Sequence, residues 1–168
     1  MHFHAVTQSW FSDSFEGPTE IQRLGWAEIA QRKNVLLAAP TGSGKTLASF
    51  LEAIDRLVHL AAKSELEDRA YVIYVSPLKA LSNDIEKNLE GPLAQIRERG
   101  AALGIPLDTI RTAVRTGDTP AKDRQALLKK PAHILITTPE SLYILLTAEK
   151  SRAILAGADT VIVDEIHA

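Results

Sequence analysis

Two short segments of this 168-residue chain carry residue types suited to phosphoryl chemistry. Ala39-Pro40-Thr41-Gly42-Ser43-Gly44-Lys45-Thr46 is a glycine-rich turn closed by an ammonium and a hydroxyl. Glycines let successive backbone N–H groups curl around phosphate oxygens, the lysine can reach β and γ phosphates, and the Thr46 hydroxyl can ligate Mg²⁺. Thr41, Gly42, Ser43, Gly44, Lys45 and Thr46 are therefore the candidate nucleotide-binding residues, although the strict P-loop pattern has glycine where Ala39 stands. The second segment, Val161-Ile162-Val163-Asp164-Glu165, reads as a buried strand that ends in two carboxylates. Asp164 would hold Mg²⁺, directly or through water, and Glu165 would orient and deprotonate an attacking water. Lys45, Asp164 and Glu165 form the candidate catalytic set, Thr46 and Asp164 the candidate metal ligands. Hydrolysis of a nucleoside triphosphate, rather than binding alone, is the chemistry expected if both carboxylates take these roles.

Elements that would position these groups alternate along the chain. Val35 to Ala38, Tyr71 to Val75, Thr109 to Val114, His133 to Thr137 and Thr160 to Val163 are short β-branched runs, and near-continuous apolar strands separated by helices predict a parallel sheet covered on both faces. Between them Gly44 to Ala61, Leu78 to Gly100, Pro120 to Lys129 and Pro139 to Ala148 carry helical spacing, with a break expected at Gly91-Pro92. Two more helices are expected before the first strand, over Thr7 to Phe15 and Thr19 to Gln31. Ser76-Pro77, Thr119-Pro120 and Thr138-Pro139 read as N-caps followed by proline at the first helical position. In a parallel sheet these helix starts all lie at the carboxyl edge, where free N–H groups and the helix dipole favour anions.

Composition limits the alternatives. Apolar residues make up 45% and charged residues 24%, ordinary values for a globular domain and too apolar for a disordered tail. The net charge of −2 advertises no global field for a polyanion, so any such partner must be held by local contacts. Without cysteine there is no disulfide partner, thiolate nucleophile or cysteine-ligated zinc. The start Met1-His2-Phe3-His4-Ala5 lacks a basic segment followed by an apolar one, and no apolar run approaches the ~18 residues of a membrane span, so neither export nor membrane insertion is expected. A cytoplasmic chain without a membrane partner is expected.

The motifs together resemble those of superfamily 2 helicases. Asp164-Glu165-Ile166-His167 is similar to their DExH box, and Ala39 to Thr46 to their motif I, where alanine commonly replaces the first glycine. Ser76-Pro77-Leu78-Lys79-Ala80-Leu81 resembles motif Ia, Arg115-Thr116-Gly117-Asp118-Thr119 the following strand-binding loop, and Thr138-Pro139-Glu140-Ser141-Leu142 motif Ib. The wording of these segments is similar, more narrowly, to the large helicase-related (Lhr) family. The resemblance implies a RecA-like P-loop NTPase of α/β class, with a mostly parallel sheet flanked by helices. It implies ATP and Mg²⁺ as cofactors and single-stranded DNA, RNA or a DNA–RNA hybrid as partner. Ser76, Pro77, Lys79, Arg115, Thr116, Gly117, Thr138 and Pro139 would grip the phosphodiester backbone, and His167 would couple nucleotide state to a neighbouring surface.

Phe15-Glu16-Gly17-Pro18-Thr19-Glu20-Ile21-Gln22 resembles an adenine-reading Q-motif, in which Gln22 would bond the base edge and Trp10, Phe11 or Phe15 would stack on it. Thr19-x-x-Gln22 is equally a capping box, in which Gln22 secures a helix start. The family completes this domain with further strands and a second RecA-like domain. The expectation is therefore that residues 1–168 are the first part of a RecA-like domain, incomplete at the C-terminus. They would carry the ATP-binding half-site of a helicase and be inactive alone, the alternative being a truncated, catalytically inactive nucleotide- or nucleic-acid-binding module.

Overall fold

The computed structural model describes residues 3–77 and 85–166. These divide into two compact units, 3–65 with 85–109 and 66–77 with 110–166.

The first unit is helical. It holds α1 (Ala5–Ser14), α2 (Glu20–Ile29), α3 (Lys45–Ala62) and α4 (Gly91–Ala102). Leu47, Leu51, Ile54, Val58 and Ala61 recur every three or four residues along α3 and are all buried, so one stripe of that helix forms the core. Trp26 joins α2 to it: the indole Nε1 donates to the Ala48 carbonyl at 2.9 Å, while Phe3 and Phe11 meet the ring edge-on. The start of α1 is tied to α3 by the His4 N–H, which donates to Asp55 Oδ1 at 2.8 Å. A π-helical turn, Glu86–Glu90, leads into α4, whose first turn carries Pro92. The break expected at Gly91-Pro92 is thus a change of helix type, because proline lacks the N–H that would continue the earlier bonding but is tolerated in a first turn.

One expected strand is absent. Val35 to Ala38 forms no strand, and Val35 and Leu36 are exposed. An apolar run becomes a strand only when a neighbour completes its hydrogen bonds, and the first unit has no strand to pair with it among the described residues.

The second unit is α/β. Its strands β1 (Val72–Val75), β2 (Thr112–Arg115), β3 (Ile134–Thr137) and β4 (Thr160–Val163) form one parallel sheet in the order β2-β3-β1-β4. Helices α5 (Ala121–Lys129), α6 (Pro139–Thr147) and α7 (Glu149–Leu155) connect them, α7 being unforeseen in the sequence pattern. The central strands VIYV and ILIT are buried at every residue, as continuous apolar runs require. Ile73, Val75 and Leu135 pack with Leu145 and Leu155, each contributing roughly 2 kcal/mol by burial. β4 departs from expectation: it is an edge strand, with Val161 and Val163 58% and 57% exposed. Composition alone does not distinguish an edge strand from a central one. Thr119-Pro120 also departs, since Pro120 is the N-cap of α5 without a side-chain bond. The Thr119 hydroxyl instead accepts from the Thr116 N–H at 2.9 Å and closes the preceding turn. Thr138 does cap α6, accepting from the Ser141 N–H. The helix start expected after Ser76-Pro77 lies outside the described residues. No helix among the described residues is long and apolar enough to cross a membrane.

At the amino edge of this sheet His133 is buried, its Nδ1 accepting the Arg111 N–H at 3.1 Å. Burial, with the Arg111 cation nearby, holds its pKa below the ordinary 6.5, at about 4. The imidazole is neutral when folded and gains a proton more readily when unfolded, so its stabilising contribution is complete above pH 6.5 and is lost as pH falls towards 4. The loss should reach on the order of 3 kcal/mol. Urea unfolding at pH 7 and 4.5 will show that slope, and His133→Gln will flatten it.

Candidate functional site

The phosphate-binding candidates sit where the loop enters α3. Gly42 and Gly44 have φ of +79° and +88°, the left-handed region that glycine adopts without strain. Lys45 opens the helix, and its ammonium donates back to the carbonyls of Ala39 and, at 2.9 Å, Pro40. Thr41 and Gly42 are exposed, while Ser43, Gly44, Lys45 and Thr46 are half-buried. The loop is bare enough to admit a ligand.

Helix α2 braces that loop. Thr19 caps α2 and Gln22 returns the bond, its Oε1 accepting the Thr19 N–H at 3.0 Å. The Thr19 hydroxyl also donates to the Ser43 carbonyl at 2.9 Å, and Gln22 Nε2 to the Gly44 carbonyl at 3.4 Å. A Cβ added to Gly44 would lie 2.5 Å from Gln22 Nε2. The capping box read from Thr19-x-x-Gln22 is therefore formed, and Gln22 also touches the phosphate loop. Of the three candidate stacking rings, Trp10 and Phe11 are buried, the former donating Nε1 to Gln95 Oε1 at 2.6 Å. Phe15 is 40% exposed. An aromatic cleft of about 570 Å³, lined by Phe3, Phe11, Arg23 and Trp26 among others, includes none of the phosphate-loop residues.

In the second unit the parallel sheet gathers the remaining candidates at its carboxyl edge. β4 delivers Asp164, whose backbone N–H donates to the Val75 carbonyl at 2.9 Å. Its carboxylate is held at both oxygens: Oδ2 accepts the Tyr74 hydroxyl at 3.0 Å and Oδ1 the Glu165 N–H at 2.9 Å. Glu165 adopts φ +51°, a left-handed conformation that costs a non-glycine residue of the order of 1 kcal/mol or more. Mg²⁺ takes hard oxygen ligands, and the Asp164 carboxylate and Thr46 hydroxyl are such donors, both half-buried.

At the opposite edge of the sheet, on β2, Arg115 is 7% exposed, and its guanidinium donates to the Thr116 carbonyl, with no carboxylate within ion-pair distance among the described residues. Burial and the nearby Arg124 cation lower its pKa. A desolvated cation beside a second cation favours an anionic ligand. Thr116 is half-buried and Gly117 exposed in the turn that Thr119 closes, and Pro77 and Pro139 are at the surface to differing degrees. Ser76 and Thr138 are buried, Thr138 acting as a cap, so neither hydroxyl is open at this edge. At the start of α6 the exposed Glu140 carboxylate is already held below its usual range by its own backbone N–H and the Thr138 hydroxyl. Lys79 and His167 lie outside the described residues. Tyr74, Arg124 and Glu140 were not singled out from the sequence. Tyr74 alone had a signal, a hydroxyl inside an aliphatic run.

A sequence profile of the DEAD/DEAH box helicases matches residues 19–168. The chain belongs to that family. It is 53% identical over 161 residues to the ATP-dependent helicase Lhr-Core of Methanocaldococcus jannaschii, covering 96% of this chain and 19% of that protein. To the Lhr helicase/uracil glycosylase of Escherichia coli it is 44% identical, over 99% of this chain and 11% of that one. Among solved structures, the Mycobacterium smegmatis helicase Lhr bound to ssDNA and AMP-PNP superposes with a TM-score of 0.86 at 47% identity, over 98% of this chain and 20% of that one. This helicase-family chain thus spans about a fifth of the archaeal relative and has the expected RecA-like α/β fold, with a parallel sheet and flanking helices.

Proposed function

We propose that this chain supplies the ATP-binding half-site of an ATP-dependent helicase that moves on single-stranded DNA or RNA. One observation carries the reading: the carboxyl edge of a single parallel sheet presents the Asp164-Glu165 carboxylates together with Arg115, Thr116, Gly117 and the capped start of α6. Hydrolytic and strand-gripping groups share one rigid frame. The AMP-PNP and ssDNA held by the M. smegmatis relative support the same ligands here.

In this reading Thr41 to Thr46 cradle the triphosphate, with Lys45 on the terminal phosphates. Gln22 and an aromatic ring, Phe15 being the exposed one, hold adenine. Thr46 and Asp164 are each candidate ligands for Mg²⁺, which would supply charge neutralisation of the phosphates when bound. Glu165 takes the proton of the attacking water. Ser76, Pro77, Lys79, Arg115, Thr116, Gly117, Thr138 and Pro139 track one strand by its phosphates, and His167 couples the two sites. A second RecA-like domain is the proposed partner in hydrolysis. The setting is cytoplasmic.

Backbone contacts position without reading sequence. Arg115→Ala should therefore weaken single-strand binding about tenfold on every sequence and reduce the salt slope by about one. Fluorescence anisotropy across a salt series, on protein whose melting temperature is checked, measures both. An unchanged slope in a folded variant removes Arg115 from the interface.

A further inference from the structure

Tyr74 is the one residue of β1 that is not aliphatic, and it is fully buried in the middle of the sheet. A buried phenol must place its hydroxyl on an acceptor or lose the hydration it had in water. A leucine or phenylalanine would fill the same space without that demand. The acceptor here is not a backbone carbonyl but Asp164 Oδ2, at 3.0 Å. The register explains the reach: Tyr74 pairs with Ile162, and Asp164 lies two residues on, just past the end of β4.

We propose that Tyr74 is a positioning residue for Asp164, fixing the carboxylate in the orientation that receives the divalent cation; the inference rests on the reading of Asp164 given above. The N–H of the next residue, Glu165, holds one carboxylate oxygen. The Tyr74 hydroxyl takes the other oxygen, so both oxygens are held and the lone pairs left for the metal point in set directions. The bond comes from a central strand whose every residue is buried, so it does not move with the Asp164-Glu165 turn. Partners of metal ligands typically contribute ten- to a hundredfold in metal affinity.

The test uses the full-length protein with AMP-PNP as the nucleotide and Mn²⁺ as the probe, its binding followed by electron paramagnetic resonance. Tyr74→Phe should raise the Mn²⁺ dissociation constant about tenfold, with AMP-PNP affinity at saturating Mn²⁺ within twofold of the parent. Tyr74→Leu should raise it equally and lower the melting temperature as well, because it removes the ring in addition to the hydroxyl. An unchanged Mn²⁺ affinity in Tyr74→Phe overturns the inference. So does a loss that appears only in Tyr74→Leu, since packing would then be the cause. If the parent protein itself binds no Mn²⁺ with AMP-PNP, the reading of Asp164 fails and this inference with it.

Discussion

Lys45→Ala will all but abolish ATP hydrolysis by the full-length protein, lowering turnover by a factor of the order of 10²–10³, while leaving the fold intact. The ammonium is the one charge that the sequence places inside the phosphate loop, and α3 begins on it. In this structure it is parked on the Ala39 and Pro40 carbonyls, which the terminal phosphates would replace as partners. Preorganised charge at a transferring phosphoryl group is worth about 3–4 kcal/mol per donor when water is excluded. The two carbonyl contacts are exposed or half-buried, so their loss should cost only about 1 kcal/mol of stability. A steady-state ATPase assay with saturating nucleic acid, paired with a melting curve, separates the two effects. Normal turnover in a folded Lys45→Ala protein would remove the loop from the mechanism.

Glu165→Gln will keep ATP affinity within about twofold and lower turnover by a factor of the order of 10²–10⁴, the range for a lost general base. Glutamine preserves the length of the side chain and tolerates the φ of +51° as well as glutamate does, so the turn that holds Asp164 should survive. Single-turnover hydrolysis against equilibrium binding of a labelled nucleotide decides it. Loss of binding instead would mean that Glu165 organises the turn and takes no part in proton transfer. Glu165→Gly is the useful contrast. It relieves the left-handed strain and should raise the melting temperature while hydrolysis is lost equally.

The site was legible in the sequence where function depends on contiguous residues. Gly42, Gly44, Lys45 and Thr46 must follow one another for a loop to wrap a phosphate, and a carboxylate pair at the end of an apolar run is visible without coordinates. β1, β3 and β4 were legible for the same reason, since a short β-branched run has few other uses. What misled was context. Val35 to Ala38 has the composition of a strand and no partner in its own unit, and the β4 run has the composition of a central strand and an exposed edge. Thr119-Pro120 spells a capped helix start, yet the hydroxyl serves the turn before it.

By itself the sequence determined the chemistry available to this protein: a phosphate loop, two terminal carboxylates and three polar–proline steps, all set by local spacing. Only the tertiary structure decided which partners hold those groups. Gln22 reaches the Gly44 carbonyl across 22 residues and Tyr74 reaches Asp164 across 90, while Arg115 is buried beside Arg124. The Tyr74 pairing depends on strand order and register, which burial selects among many compatible arrangements, and the Gln22 contact on how α2 packs beside the loop; no local pattern encodes either.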